Sequence, residues 1–241
     1  MKLAVNYSEA LLSLLEHDPA LPVDYIKVPT IPFPGCFVQF ERGRRLRRLL
    51  PHPAQQGVIA LGHPDADQRF DRATVAEIIR RAQPRYLSTH LEARVEFFPA
   101  FRACQHTEEA ALAMAMKRRF IDAIEEVRTA TGLPLILENF PYYKWWCHFR
   151  LGSHPDFITE ICAAADCGFL LDLAHAHCAA WHMGIDIWDY LRVLPLARVR
   201  EIHVSGVQER AGEGLRDTHV ALSEYDYQLL EGVLALVEPE S

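Results

Sequence analysis

The chain lacks any apolar run close to the ~18 residues that a membrane-crossing helix needs. Its opening residues, MKLAVNYSEALLSLLEH, hold neither the apolar stretch nor the cleavage site of a secretory signal. These absences lead us to expect a cytoplasmic protein with no membrane partner. Cysteine is present but unpatterned: Cys36, Cys104, Cys147, Cys162, Cys167 and Cys178 are scattered, with no CxxC pair. That spacing argues against a disulfide or thiolate-zinc framework and fits reduced packing thiols. Positive charge is short as well, 25 Lys and Arg against 32 Asp and Glu for a net charge of −7. A nucleic-acid partner, bound through phosphates, is therefore not expected. The one basic cluster, Arg42 to Arg48, reads as a solvated helix face in preference to a docking site for an acidic peptide or anion. No repeat, linker or low-complexity tract divides the sequence, so residues 1–241 are expected to form one domain with a large core.

What the chain does have is a series of apolar, strand-like runs that end in metal-ligand residues. They are LPLILEN (133–139), GFLLDLAH (168–175), VREIHVSG (199–206) and the following RDTH (216–219). A carboxylate or imidazole at the end of a buried strand is costly unless a charge compensates it. Four successive placements point to one convergent polar site at one end of a sheet, most simply a metal site. Histidine is the unusual count, 12 in all.

Between these runs lie helical stretches. Strands are expected at 2–6, 23–28, 85–90, Leu135–Glu138, 169–172 and Val199–His203, with the third at either 48–52 or 57–61. Helices are expected from Ser8 to about Glu16, in the Arg-rich segment after the proline-rich turn at 29–34, and at Arg72–Ala82. A long one opens at Thr107 and is closed by Gly132, its apolar positions Leu112, Met116, Phe120, Ile124 and Val127 recurring at helical spacing. Others follow at about 155–165, 185–194 and 223–237. Strand–helix alternation implies parallel strands, and polar residues at successive strand ends suit an α/β fold of the TIM-type (β/α) barrel, whose sites sit on that face. Seven strands are expected and the eighth is missing at the C-terminus, so the barrel is read as incomplete. The exposed edges of strands one and seven would then need cover from a homodimer partner, a helix or a loop.

Several residues stand out for chemistry. Glu138 followed by Asn139 is a polar pair at a strand end; a structural carboxylate paired to an Arg is the plainer alternative. Asp172 and His175 form a D-x-x-H step that can bring two ligands to one ion. His203 shares a strand face with Glu201, and Asp217 and His219 lie two apart in an extended segment. His90, ending RYLSTH, joins them by position, while His177 and His182 read as supporting or packing histidines. Nitrogen and oxygen donors without thiolates suit Mn or Fe, or Zn, and so many candidates suit two or three ions better than one. The segment FPYYKWWCHF (140–149), with Tyr142, Lys144 and Trp145, together with Asn139, is expected to cover or bind substrate, or else to pack a neighbouring subunit.

In order, STHL (88–91), EN (138–139), LDLAH (171–175), EIHVSG (201–206) and DTH (217–219) resemble the DUF692 family, the multinuclear non-haem iron oxidative enzymes of the xylose-isomerase-like superfamily. The resemblance spans about residues 1–237. It implies a cluster of two or three irons held by His52, His90, Glu138, Asp172, His175, His203, Asp217 and His219, with Glu138, Asp172 and His203 central to catalysis. It further implies oxidation by O2 of a peptide or small thiol substrate. For the histidine after the third strand, His52 is chosen by its distance from His90, with His63 as the alternative. The family's last strand carries a further carboxylate; Glu238 and Glu240 are poor substitutes for it. Other readings are a Mn- or Zn-dependent sugar isomerase or epimerase of the same superfamily, with Glu138 as base, and a non-catalytic metal-binding relative. A nuclease of this fold fits the acidic charge badly.

Overall fold

The structure is a computed structural model that describes residues 1–29, 36–53 and 58–237. Most of the proline-rich turn, the start of the alternative third strand at 57 and both Glu238 and Glu240 lie outside the described residues.

Seven parallel strands form two arcs. The first holds β1 (Ala4–Asn6), β2 (Tyr25–Pro29) and β3 (Arg48–His52); the second holds β4 (Leu87–His90), β5 (Leu135–Glu138), β6 (Gly168–Asp172) and β7 (Val199–His203). Among the described residues no ladder joins β3 to β4 or β7 to β1, so the barrel is not closed. Helices α1 (Glu9–His17), α2 (Cys36–Leu46), α3 (Ala66–Arg69), α4 (Arg72–Ala82), α5 (Ala110–Thr131) and α6 (Pro155–Ala164) intervene between strands. After β6 come α7 (Leu173–Met183) and α8 (Ile187–Val193), and α9 (Glu224–Leu236) follows the last strands.

Local chemistry accounts for these elements. Ser8 caps α1 by accepting from Leu11 N, and Leu11, Leu12 and Leu15 turn one stripe of that helix into the core. In α5 the expected stripe of Leu112, Met116, Phe120, Ile124 and Val127 is buried, and Gly132 ends the helix at φ +67° with its N–H on Arg128 O. Strands β4, β5 and β6 are buried on both faces, as parallel strands under helices must be, whereas β7 at the end of that arc is mostly half-buried. No described helix is long and apolar enough to cross a membrane.

The third strand is Arg48–His52; Val58 to Leu61 is buried, but only Ile59 makes a bridge, to Phe70. Two elements differ from expectation. The stretch after Asp172, where no helix was expected, is α7, which starts without a connecting residue because the Asp172 carboxylate itself caps it, accepting from His175 N at 2.8 Å. α7 is buried on nearly all sides, so it lacks the amphipathic period that marks a surface helix. Beyond β7 an antiparallel hairpin, β8 (Gly206–Arg210) with β9 (Gly214–Val220), takes the place of a simple loop.

Candidate metal centre

The parallel register brings the polar strand ends level. His90 pairs with Glu138 across β4 and β5, and Asp172 with His203 across β6 and β7; His52 ends β3 on the far side of the gap. Five strand C-termini therefore deliver His52, His90, Glu138, Asp172 and His203 to one place. α7 adds His175 and β9 adds Asp217.

Glu138 lies at the centre, 1 % exposed. Its Oε2 stands 3.0 Å from His52 Nε2 and 3.4 Å from His90 Nε2. Its Oε1 stands 3.4 Å from His175 Nδ1 and 3.5 Å from His203 Nδ1. Asp172 Oδ2 is 3.7 Å from His203 Nδ1, and Asp217 Oδ2 is 3.5 Å from His175 Nε2. Two groups, His52–His90–Glu138 and Glu138–Asp172–His175, each place their donor atoms within 4.8 Å of one another. Glu138 belongs to both. His203 lies against the second group. His219 is placed differently: its Nε2 meets Asp217 Oδ2 at 3.1 Å, but its side chain is 67 % exposed and its backbone sits at φ +51°.

The surroundings fix these side chains. Ser88 Oγ holds His52 Nδ1 at 2.7 Å, bridging the β3–β4 gap. Asn139 uses its side chain on the Asp172 backbone and its carbonyl on His175 Nδ1, at 2.9 Å. Ser205 Oγ donates to Asp217 Oδ1, and Asp217 N donates to Tyr143 Oη. Lys27 and Glu201 form a buried ion pair between the two arcs; Tyr86 Oη donates to Glu201 Oε2 at 2.9 Å, and His203 Nε2 meets Glu201 Oε1 at 2.9 Å. Phe140 meets His90 edge-on and His175 at a tilt, centroids 5.1 and 6.0 Å away.

Ionisation follows from this crowding. Burial alone would raise the Glu138 carboxyl, but the imidazoles of His90 and His203 hold it well below its ordinary value. Burial drives His52 down to about 3, leaving it neutral. For His175 burial is outweighed by Asp172, Asp217 and Glu138, which lift it to about 9. His203 is likewise lifted, against burial and Lys27, by Glu138 and Asp172. Asp217 is lowered despite burial because His175 and His219 bond it, and Glu201 is held at about 2 against burial by His203 and Lys27.

These residues fit a metal cluster. Glu138 Oε2 is buried and accepts no hydrogen bond, its near neighbours being the Nε2 atoms of His52 at 3.0 Å and His90 at 3.4 Å. An unsatisfied buried carboxylate oxygen is expensive, and a cation between it and the two imidazoles would satisfy it. Donors that share one ion at ~2.1 Å stand roughly 3 Å apart, and the Glu138 oxygens lie 3.0–3.5 Å from the four imidazoles around them. The donors are imidazole nitrogens and carboxylate oxygens, the set for Fe, Mn or Zn, and neither group contains a cysteine.

The remaining sequence candidates separate. His63 meets Phe97 edge-on and accepts from Asp65 N, outside the groups, so of the two histidines it is His52 that the structure places beside Glu138. Tyr142 is buried with its hydroxyl on His106, not turned to the centre. Trp145 is half exposed, its Nε1 on Glu213 O, and Lys144 is exposed. His182 bonds Leu215 O and His177 packs on Tyr225, the packing roles expected of them. The sequence reading assigned no individual role to Phe140 or Tyr143, though it singled out their segment, and none to Ser88 or the Lys27–Tyr86–Glu201 network. A lysine inside the apolar strand β2 was the one available signal of that network.

The fold is shared with a xylose isomerase domain protein of Salmonella typhimurium (TM-score 0.60, 14% identity, 98% of this chain and 84% of that one). It is shared too with mannonate dehydratase of Streptococcus suis (TM-score 0.61, 13% identity, 98% and 82%). The chain belongs to the family described as RiPP precursor modification enzyme MbnB/TglH/ChrH, whose model matches residues 38–241. Its relatives include UPF0276 proteins of Anaeromyxobacter sp. (29% identical, over 73% of this chain and 60% of that protein) and Acaryochloris marina (26%, over 88% and 74%). The match thus spans less than two thirds of the Anaeromyxobacter protein's length.

Proposed function

We propose that this chain is a multinuclear non-haem iron enzyme that uses O2 to oxidise a thiol-bearing precursor peptide. The observation that carries the reading is Glu138, a buried carboxylate shared by two ligand groups. One group would hold an ion through His52, His90 and Glu138; the other would hold one through Glu138, Asp172, His175 and His203. Asp217, whose Oδ2 faces both His175 and His219, would contribute to a third position. Iron bound there supplies oxygen activation and a Lewis-acidic site for the substrate thiolate.

The protein's own residues do the rest. His52 is already neutral and ready to ligate, whereas His175 and His203 must each give up a proton on loading. Phe140 packs against His90 and His175 and places apolar surface beside them. Exposed Lys144 and half-exposed Trp145 stand on the segment after β5, where a peptide can meet them. Asn139 acts through Asp172 and not on substrate directly.

Oxygen uptake by protein loaded with Fe(II) under anaerobic conditions, then mixed with air and a cysteine-containing peptide, tests the reading. Uptake that depends on peptide and is lost in Glu138→Gln supports it. Uptake no faster than that of free iron, or exchange of a sugar's C–H with solvent without oxygen, overturns it.

A further inference from the structure

His203 differs from the other strand-end histidines in the nitrogen it offers. His52 and His90 point Nε2 at Glu138, at 3.0 and 3.4 Å. His203 instead points Nδ1 at Glu138 and Asp172, at 3.5 and 3.7 Å, and turns Nε2 away to Glu201. Glu201 is well placed to hold it. It sits two residues earlier on the same face of β7, 10 % exposed, and accepts from Lys27 and Tyr86 as well.

We propose that Glu201 is a positioning residue: by taking the Nε2 hydrogen of His203 it assigns Nδ1 as that residue's metal-binding nitrogen. A ligating imidazole whose other nitrogen donates to a carboxylate is fixed in orientation and tautomer. Lys27 and Tyr86 do the same for Glu201, engaging both of its oxygens so that the carboxylate cannot swing toward the metal. Because Lys27 comes from β2 and Tyr86 precedes β4, the network ties the first arc to the second just beneath the ligands. The charge of Lys27, close to a site meant for cations, is offset within the same pair. The inference rests on the proposed metal centre and adds the route by which His203 joins it.

Zn2+, a diamagnetic probe, allows a direct test in the full chain with 15N-labelled histidine. In the zinc-loaded wild type, NMR should show His203 metallated at Nδ1, with a slowly exchanging hydrogen on Nε2. Lys27→Met with Glu201→Leu removes the acceptor and both charges together, a replacement that buried ion pairs often tolerate. That double variant should lose the slow Nε2 hydrogen and bind Zn2+ about 10- to 100-fold more weakly. Lys27→Met with Glu201→Gln restores an acceptor oxygen and should recover both. Thermal melting of the metal-free proteins establishes that each is folded. Metallation at Nε2, or unchanged affinity in the Leu variant, overturns the inference while leaving the metal centre intact. Failure of the wild type to bind Zn2+ overturns both. Weak binding in a folded Gln variant reduces Glu201 to a structural charge and overturns the positioning role.

Discussion

Asn139 clamps Asp172 by its main chain: the Asn139 Oδ1 accepts from Asp172 N at 2.8 Å and its Nδ2 donates to Asp172 O at 2.9 Å. The last residue of β6 is thereby held level with the end of β5, and the Asp172 carboxylate is left for α7 and the centre. Asn139→Ala leaves a buried N–H and a buried C=O without partners. Each orphaned group costs about 1–3 kcal/mol. The expected outcome is a lower urea midpoint and fewer metal ions bound per chain. Asn139→Asp, which keeps the acceptor but loses the donor, should fall between, as equilibrium unfolding of the three proteins would reveal.

Glu138→Gln removes the one carboxylate common to both ligand groups. The variant should fold, since the side chain keeps its shape, but should lose at least half of its bound metal in elemental analysis. Retention of the full complement would mean that Glu138 bridges nothing.

Opposite pH responses are expected with and without metal. His175 rises to about 9 in the folded chain from an ordinary value near 6.5, so folding favours its protonated form. That contribution is complete below about pH 6.5 and is lost as the pH rises through about 9. His52, lowered to about 3, contributes in the other sense, its share being lost as the pH falls below 6.5. Between pH 7 and 9 the metal-free protein should therefore lose stability. The same deprotonation frees His175 and His203 as ligands, so metal affinity should rise over that interval with protons released on binding. Calorimetric titration in buffers of different ionisation enthalpy counts those protons, and a count of zero would contradict the ionisation described.

Gly206 opens the hairpin that carries Asp217. A Cβ there would lie 2.5 Å from the carbonyl oxygens of both Val220 and Ala221, backbone that cannot move aside without shifting β9. Gly206→Ala should destabilise the chain by about 1–3 kcal/mol and displace Asp217 from His175. Circular dichroism melting and zinc affinity measured together would detect both effects.

The parallel strands and most of the helices were legible in the sequence, and so were several of the residues that the strand ends bring together. His90, Glu138, Asp172 and His203 each end an apolar run, where a charge or imidazole has no cheap structural reason to sit, and the strand ends do converge. His52 could be separated from His63 only by geometry, because both follow short apolar runs. α7 was hidden by its own burial, which erases the helical period, and by a cap residue that is also a ligand candidate. The hairpin was hidden because Gln208, Glu209, Arg210 and Glu213 give it no alternation of apolar and polar residues. Glu201 was seen to share a face with His203, but its partner Lys27 lies 174 positions away, beyond the reach of any local pattern.

The central claim is that the strand ends hold more than one metal ion. Iron per chain, measured by elemental analysis of protein purified without oxygen or chelators, tests it most directly. The account predicts two or more irons per chain; a single Mn or Zn, or almost no metal, would contradict it.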